Sequence, residues 1–345
     1  MQYKLLGRSG LRVSEIALGT MTFGEAWGWG ASVAESRRIF DAYTEAGGNF
    51  VDTACNYTDG QSEELVGSLV ATDREWFVVA TKYTLTSRRD DPNAGGNHRK
   101  NLVQTLERSL RRLATDYVDL LWLHMWDETT PVDEVVRALD DLVSAGKVLH
   151  VGFSDTPAWV VSQAVAVTEL RGWARPAAVQ LPYSLADRDP ERELLPMAAA
   201  LDLTVTAWGT LEGGALTGKY LEETDAARRY DAVGPKTNGI AREVVAIAAE
   251  LGASASQVAI AWVLAQPWPL IPIVGARTEA QLRDNLGAVE LELPEEAIAR
   301  LTELSGFRPG FPREFLESED VRELIFGDTF GLIDRRRSRK PAPVA

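Results

Sequence analysis

Four polar residues in this sequence have types and spacing that would suit proton transfer to a carbonyl group. Asp52 ends a short apolar run, and Tyr57 follows five residues later. Lys82 and His124 each end a later apolar run. A lysine ammonium beside a phenol favours the phenolate and lowers the tyrosine pKa. A tyrosine tuned in this way can donate a proton to a carbonyl oxygen and take it back in the reverse reaction.

The remaining two residues would support that chemistry. Asp52 would neutralise and orient Lys82, and His124 would hold the substrate oxygen by a hydrogen bond. Each residue taken alone also has a purely structural interpretation. Asp52 could cap a helix, Tyr57 could be a packed surface aromatic, Lys82 could be solvated or ion-paired, and His124 could be a core imidazole. The chemical interpretation therefore depends on a fold that brings all four together.

Apolar runs alternate with helical periodicity along most of the chain. We predict eight strands, at residues 16–20, 50–52, 77–82, 118–124, 148–153, 178–180, 203–207 and 270–274. Helices are predicted at residues 32–45, from 61, and at 101–113, 132–144, 157–170, 191–201, 240–264 and 278–286. This alternation is typical of a parallel sheet with crossover helices.

Eight such units predict an α/β protein with a (β/α)8 TIM barrel. A small N-terminal hairpin at residues 3–13 would precede the barrel, and an extra C-terminal helix at 294–304 and a tail would follow it. A doubly wound open sheet is the alternative, but no strand-linked Gly-x-Gly-x-x-Gly is present. We expect one barrel domain at residues 1–305 and a C-terminal extension at 306–345 with a disordered end. Contact of that basic end with an anionic partner is the other interpretation.

The barrel would also explain the four polar residues. All of them lie at or just after the ends of neighbouring strands, and barrel active sites lie at the C-terminal ends of the strands. We therefore expect Asp52, Tyr57, Lys82 and His124 to converge at one mouth of the barrel.

Composition limits the classes of partner. The chain has 345 residues, with 36 basic against 50 acidic residues and a formal charge of -14. Such an excess of negative charge argues against a nucleic-acid or anionic-membrane surface. No apolar run approaches the roughly 20 residues of a membrane span, and no signal-peptide core opens the chain, so we expect a cytoplasmic protein. The single cysteine, Cys55, lacks an evident base, and no ligand spacing predicts a metal site.

Residues 3–304 resemble the aldo-keto reductase superfamily. The segments that carry the resemblance, together with Gly60, Glu63 and Gly67, are residues 52–57, 79–82, 108–124, 146–155, 216–220 and 273–277. The resemblance implies NADPH-dependent reduction of an aldehyde or ketone on a (β/α)8 barrel. It also implies that the catalytic residues are Asp52, Tyr57, Lys82 and His124, which agrees with the roles argued from their chemistry.

The resemblance further implies a set of cofactor-binding residues. Thr20 would lie near the nicotinamide ribose, Ser154, Asp155 and Gln180 would hold the carboxamide, and Trp208 would stack on the nicotinamide. Asp52 would also contact the cofactor. Gly209, Thr210, Leu211, Gly213 and Lys219 would follow the pyrophosphate, and Gly275, Arg277, Gln281 and Asn285 would bind the adenosine end. Two positions depart from the family pattern: Asp155 stands where Asn is frequent, and Thr210 where Pro is frequent. An ionised Asp only accepts hydrogen bonds, which puts its carboxamide contact in question.

Two other functions remain open on the sequence alone. A Schiff-base aldolase could use Lys82 on the same barrel, and a non-catalytic regulatory subunit could sense NADPH without turnover. For the substrate, Trp27, Trp29 and Trp126 predict an aromatic-walled pocket, although the same residues could pack the barrel rim. The physiological substrate and the oligomeric state are not determined by these patterns.

Overall fold

A computed structural model describes residues 1–221 and 232–333 of the chain. The chain divides into two compact units, Met1–Gly306 and Phe307–Ala345. The first unit contains the antiparallel hairpin and the closed barrel, together with ten helices among its described residues. In the described part of the second unit, α11 spans Arg313–Glu317 and α12 spans Glu319–Phe326, followed by a 3-10 turn at Gly327–Leu332. The basic end of the chain and its predicted disorder lie outside the described residues.

The centre of the first unit is a closed, entirely parallel barrel. The hairpin strands are β1 (Tyr3–Leu5) and β2 (Arg12–Ser14). The barrel strands are β3 (Ala17–Gly19), β4 (Phe50–Asp52), β5 (Val78–Tyr83), β6 (Val118–Leu123), β7 (Val148–Ser154), β8 (Ala178–Pro182), β9 (Thr204–Trp208) and β10 (Leu270–Val274). Neighbours in the barrel follow chain order, and β10 closes it against β3. The predicted (β/α)8 fold is therefore confirmed, and the open-sheet alternative is excluded.

Burial on both sides explains why the strands are almost continuously apolar. β5 and β6 are buried at every position. Inward-facing side chains such as Phe50 and Trp122 form one cluster, which also includes Leu6 and Val13 from the hairpin region. Outward-facing side chains pack against the helices in a second, larger cluster. Burial on both faces is the usual environment of a parallel strand and favours such uninterrupted apolar runs.

Helices separate the strands as expected. They are α1 (Val33–Glu45), α2 (Gln61–Val70), α3 (Arg99–Leu113), α4 (Val132–Ser144), α5 (Ala158–Arg171), α6 (Leu194–Ala200), α7 (Pro235–Leu251), α8 (Ala255–Leu264), α9 (Glu279–Leu286) and α10 (Glu295–Leu304). The last of these is the extra helix predicted after the barrel.

Two helix predictions need correction. The segment at 240–264 contains two helices, because Gly252 adopts a left-handed φ of 65° that ends α7. Ser254 then starts α8 with a capping box. The prediction at 191–201 is also too long, since α6 begins at Leu194, two residues before Pro196, and proline is tolerated only in the first turn of a helix.

No single helix among the described residues is long and apolar enough to cross a membrane. Only α7 and α8 taken together pass a test of length and composition, and they are bent by 99° relative to each other.

Candidate active site

The ends of β4, β5 and β6 bring the four predicted catalytic residues to one place. Asp52 is the last residue of β4, and Tyr57 begins the 3-10 turn that follows it. Lys82 lies near the end of β5, and His124 directly follows β6. The register pairs Asp52 with Ala80, and Lys82 with Trp122, so the polar groups lie at neighbouring levels of the barrel mouth.

Lys82 is the centre of the buried cluster. Its ammonium group donates hydrogen bonds to the Asp52 carboxylate, to the Thr53 carbonyl at 2.9 Å and to the Tyr57 hydroxyl at 3.2 Å. An ammonium has three donors, so all three are used. The lysine side chain is fully buried, and the Asp52 side chain is 3 % exposed. The charge of Lys82 is therefore held against the tyrosine oxygen by a carboxylate inside the protein.

Asp52 has two further hydrogen-bond donors that the sequence analysis did not assign to it. The indole Nε1 of Trp122 donates to Oδ1 at 2.9 Å, and the amide Nε2 of Gln180 donates to the same oxygen at 3.0 Å. Trp122 was not predicted as a site residue from the sequence. The signal was visible in the sequence, because Trp122 stands two residues before His124 in the same predicted strand. The Asp52 carboxylate thus accepts hydrogen bonds from β6 and β8 in addition to the bond from Lys82 on β5. Its position therefore does not depend on Lys82 alone.

Burial determines the protonation state of the tyrosine and the lysine. Burial raises the pKa of the Tyr57 phenol above its ordinary value, while the Lys82 charge acts to lower it. The net direction differs from the expectation that the lysine would tune this tyrosine downward, because desolvation outweighs the single nearby cation. Burial acts to lower the pKa of Lys82, but Asp52 and Tyr57 raise it overall. Tyr57 is therefore a neutral phenol beside a charged lysine.

His124 faces the tyrosine as an uncharged ring. The two ring centroids are 6.1 Å apart, and the rings meet edge to face at 80°. Desolvation, helped by the charge of Lys82, lowers the pKa of His124 to about 3. Its Nδ1 is buried without a hydrogen-bond partner in the described parts of the chain. The imidazole is thus neutral at physiological pH and has an unused hydrogen-bonding group at the site.

The turn that carries Tyr57 packs against the side chain of Arg112. Thr58 and Asp59 adopt left-handed φ values of 45° and 57°, followed by Gly60 at 97°. A Cβ at Gly60 would lie 2.3 Å from Cζ of Arg112. That arginine donates to the Cys55 carbonyl at 2.8 Å and to the fully buried Glu63 carboxylate at 3.2 Å. The close approach of Arg112 explains the glycine and holds the turn in place.

The Cys55 thiol is not activated as a nucleophile in this arrangement. Burial, with the charge of Glu63, raises the pKa of its thiol to about 12. A thiol of that pKa is almost entirely protonated near neutral pH and is a poor nucleophile.

The residues predicted to lie around the nicotinamide are found at the mouth, and several already have partners. Thr20 is fully buried, and its hydroxyl donates to the Asp52 carbonyl at 3.0 Å. Ser154 is buried at the end of β7. Trp208 is 41 % exposed at the end of β9. Its indole Nε1 donates to Oδ1 of Asp155 at 3.1 Å. The carboxylate that departs from the family pattern thus accepts a hydrogen bond from this exposed tryptophan.

The other predicted cofactor residues follow β9 and β10. Gly209, Thr210 and Leu211 lead into a 3-10 turn at Glu212–Thr217, in which Gly213 has a φ of 56°. Lys219 packs closely over this turn, since a Cβ at Gly214 would lie 2.5 Å from its Nζ. These residues follow directly from the end of β9, beside the exposed indole of Trp208.

The residues after β10 surround the start of α9. The backbone N–H of Arg277 donates to Oε1 of Gln281 at 2.9 Å. Thr278 caps the helix, Gly275 is exposed, and Asn285 is buried. Arg277 therefore lies next to a helix N-terminus, where backbone N–H groups and the helix dipole favour an anion.

The three predicted pocket tryptophans fall in two places. Trp27 and Trp29 pack with ring centroids 5.7 Å apart, and Nε1 of Trp27 donates to Asp59 at 3.2 Å, in the turn that carries Tyr57. Trp126 lines a surface groove of about 490 Å³. Trp159, at the start of α5, also lines this groove and was not predicted. Residues 128–133, which lead into the first turn of α4, together with Pro157 and Gln163 complete the groove lining.

Among the residues that the structure describes, no group of three or more His, Cys, Asp or Glu side chains lies close enough to hold a metal ion.

Comparison with known proteins supplies the family. Residues 15–305 match the model of the Aldo/keto reductase family. Norsolorinic acid reductase stcV of Emericella nidulans is 37% identical over 318 residues, covering 89% of this chain and 82% of the relative. Norsolorinic acid reductase A of Aspergillus parasiticus is 36% identical over 321 residues, covering 89% and 82%. An aryl-alcohol dehydrogenase of Pestalotiopsis microspora is 34% identical over 327 residues, covering 91% and 85%. Since the match spans the barrel and the relatives cover most of both chains, this chain belongs to the aldo/keto reductase family of oxidoreductases.

Proposed function

We propose that this protein reduces an aldehyde or ketone to the alcohol, with NADPH as hydride donor and Tyr57 as proton donor. The observation that carries the proposal is the 3.2 Å contact between Nζ of Lys82 and the Tyr57 hydroxyl, inside a buried cluster with Asp52. A proton donor must be protonated before the reaction and stabilised as an anion after it. A neutral buried phenol beside a buried ammonium meets both needs.

The residues at the mouth fit a nicotinamide cofactor. Trp208 offers an exposed indole for stacking, and Arg277 lies at a helix N-terminus suited to a phosphate. When bound, the cofactor supplies the hydride that adds to the carbonyl carbon. Ser154, Asp155 and Gln180 would surround the carboxamide, although the Gln180 amide already donates to Asp52. Arg277 with Gln281 and Asn285 would bind the adenosine end.

Proton transfer follows from the protonation states. Tyr57 gives its proton to the substrate oxygen, and the charge of Lys82 stabilises the phenolate that forms. Asp52 keeps Lys82 in place and balances its charge before the transfer. His124, neutral because desolvation lowers its pKa, orients the substrate oxygen by a hydrogen bond.

The two alternative functions have less support. An aldolase lysine must be an uncharged amine to attack a carbonyl. Lys82 instead donates three hydrogen bonds, and its pKa is raised. A regulatory subunit that only senses the cofactor would not need a buried lysine that bonds to both Asp52 and the Tyr57 hydroxyl. The presence of this cluster therefore favours catalysis.

The substrate class we propose is an aromatic aldehyde or ketone. Aromatic walls are available in the Trp27–Trp29 pair above the Tyr57 turn and in the groove lined by Trp126 and Trp159. The relative named aryl-alcohol dehydrogenase supports the same class. Aromatic faces favour flat aromatic ligands because ring stacking adds to the burial of apolar surface.

The test is a screen of NADPH oxidation over aromatic aldehydes, aliphatic ketones and sugars. We expect the highest kcat/KM for aromatic substrates, and Trp126→Ala should change the substrate ranking while NADPH affinity is kept. The exposed Trp76, before β5 at the other end of the barrel, offers a matched control, and Trp76→Ala should leave the ranking unchanged. Tight NADPH binding without turnover of any substrate would favour the sensing subunit. Borohydride trapping of substrate on Lys82 would favour the aldolase.

A further inference from the structure

Asp155 presents a carboxylate at the mouth of the barrel. The residue directly follows β7 and adopts a left-handed φ of 41°. Its backbone is held from two sides, because its N–H donates to the Gln180 carbonyl at 3.1 Å and its carbonyl accepts from the Trp126 N–H at 3.4 Å. The side chain is exposed, and Oδ1 accepts the indole N–H of Trp208 at 3.1 Å. The strand end thus fixes where this carboxylate lies.

The carboxylate adds a negative charge beside the buried cluster of Asp52, Tyr57 and Lys82. The Asp52 charge is balanced by Lys82 within the buried cluster. In the described ranges 1–221 and 232–333, no ion pair involves Asp155. Burial raises the pKa of Asp155 above its ordinary value, while the Trp208 indole and the charge of Lys82 act to lower it. Asp155 in turn adds to the effect of burial in raising the pKa of Tyr57, so its charge is felt in the cluster. Two carboxylates therefore face one ammonium at the place where the nicotinamide would bind.

We propose that Asp155 makes this site bind the oxidised cofactor more tightly than the reduced one, and so makes the bound reduced cofactor a stronger hydride donor to the carbonyl. The inference rests on the proposed function, in which the nicotinamide lies against Trp208. The oxidised ring carries one positive charge and the reduced ring carries none, so an uncompensated carboxylate attracts only the former. In the favoured direction, hydride would leave the reduced ring for the carbonyl carbon. The Tyr57 hydroxyl gives its proton to the carbonyl oxygen, and the carbonyl becomes an alcohol.

The expected size is moderate because the carboxylate is exposed. An unscreened pair of charges a few ångströms apart near a protein surface interacts strongly, but solvent and salt weaken it. We expect Asp155 to shift the ratio of the two dissociation constants by about tenfold. For a two-electron couple, tenfold corresponds to about 30 mV in the potential of the bound cofactor.

The test uses Asp155→Asn, which removes the charge and little else. An amide oxygen still accepts the Trp208 N–H, and Asn tolerates the left-handed backbone that Asp155 adopts. Dissociation constants of NADP⁺ and NADPH are measured by titration of the wild-type protein and the variant. NADP⁺ binding should weaken about tenfold, in proportion to the lost attraction, while NADPH binding changes less than about twofold. The potential of the bound cofactor should rise in the variant.

Two matched variants separate charge from structure. Asp73→Asn makes the same change in an exposed residue of the loop between α2 and β5, at the opposite end of the barrel, and should leave the ratio unchanged. Trp208→Phe removes the indole N–H but keeps the carboxylate, so the preference for NADP⁺ should persist. In the wild-type protein, 1 M salt should reduce the preference, because the Debye length falls to about 3 Å. This last measurement needs no variant to fold.

The outcomes are distinct from a failure of the proposed function. If both cofactors bind but Asp155→Asn leaves their ratio within about twofold of the wild-type ratio, this inference is wrong and the reductase assignment stands. Equal weakening of both forms would show a structural role for Asp155 and would overturn the inference as well. If the wild-type protein binds neither form of the cofactor, the proposed function itself is wrong.

Discussion

At the scale of single residues, the site combines a buried neutral phenol with a buried charged amine. Burial alone would make Tyr57 a poor acid, since it raises the phenol pKa. The Lys82 ammonium, 3.2 Å from the hydroxyl, supplies a charge that favours the phenolate when the proton leaves. In the proposed reaction, the pair would therefore hold the proton in the resting state and stabilise its loss.

Tyr57→Phe should separate proton donation from cofactor binding. The ring can stay in its edge contact with His124, but the proton donor is lost. We expect kcat to fall at least about 10²-fold, the usual scale for an acid–base group, while the dissociation constant of NADPH changes little. Tyr83→Phe, which removes a buried hydroxyl bonded to the Asn97 carbonyl, is the matched control and should keep most of the activity. Turnover within a few-fold of wild type in Tyr57→Phe would exclude this residue as the acid.

His124 predicts how folding stability depends on pH. Its folded pKa of about 3 lies below the ordinary value of 6.5, so the unfolded chain binds the proton more readily. The neutral ring thus contributes stability that is complete above pH 6.5 and is lost as the pH falls from there towards 3. The limiting slope for one group is about 1.4 kcal/mol per pH unit.

The measurement is the free energy of unfolding of the wild-type protein and His124→Gln between pH 7.5 and pH 4.5, at intervals of about half a unit. Since the amide does not titrate, wild type should lose stability relative to the variant below pH 6.5, and the difference should be constant above it. A constant difference over the whole range would contradict the depressed pKa.

At the scale of elements, the Asp52 carboxylate joins four strands of the barrel. It lies on β4 and accepts hydrogen bonds from Lys82 on β5, Trp122 on β6 and Gln180 on β8. The Trp122 ring needs room beside β7, and Gly152 supplies it. A Cβ at that glycine would lie 2.3 Å from Cζ3 of Trp122 and 3.0 Å from the Ala178 carbonyl.

Gly152→Ala should therefore disturb the site through its supporting strands. The added methyl group must displace the fully buried Trp122 ring, and overpacking of a core costs about 1–3 kcal/mol. We expect a lower free energy of unfolding and a loss of activity, because the indole donor to Asp52 moves. Gly10→Ala is the matched control, since nothing lies within 4 Å of its Cβ position, and its stability should be unchanged or slightly higher. Equal stability of the two variants would contradict the close packing at Gly152.

At the scale of the whole barrel, the proposed cofactor extends from the mouth near Trp208 to the segment after β10. Arg277 follows β10 and lies at the start of α9, away from the proton-transfer cluster on β4, β5 and β6. A 2′-phosphate exists on NADPH and not on NADH, so a guanidinium that binds it should discriminate between them.

Arg277→Met should weaken NADPH binding and leave NADH binding nearly unchanged. The expected loss is the worth of a charged hydrogen bond, about 1.5–3 kcal/mol, or roughly 10- to 150-fold in the dissociation constant. Arg283→Met, within α9, is a matched control, because Arg283 is ion-paired with Glu45 and Glu279 on the surface. Equal losses for both cofactors in Arg277→Met would exclude the phosphate contact.

The sequence by itself determined the barrel and the convergence of Asp52, Tyr57, Lys82 and His124. Eight strand–helix repeats predict the closed parallel fold, and Asp52, Lys82 and His124 fall at strand ends that must share one face of it. These are local patterns, because periodicity and strand-end position do not depend on which distant residues pack together. The same reasoning found the extra helix α10 but missed the break at Gly252, where a single left-handed residue ends α7.

The tertiary structure alone decided the partners and the charges. That Gln180 bonds to Asp52 depends on closure of the barrel, since the two residues are 128 positions apart in sequence. That Asp155 accepts the Trp208 indole depends on how the ends of β7 and β9 approach each other. The raised pKa of Tyr57 depends on how completely the surrounding elements exclude water. Desolvation and long-range hydrogen bonds are sums over the packed neighbourhood, so they exist only once the chain has folded.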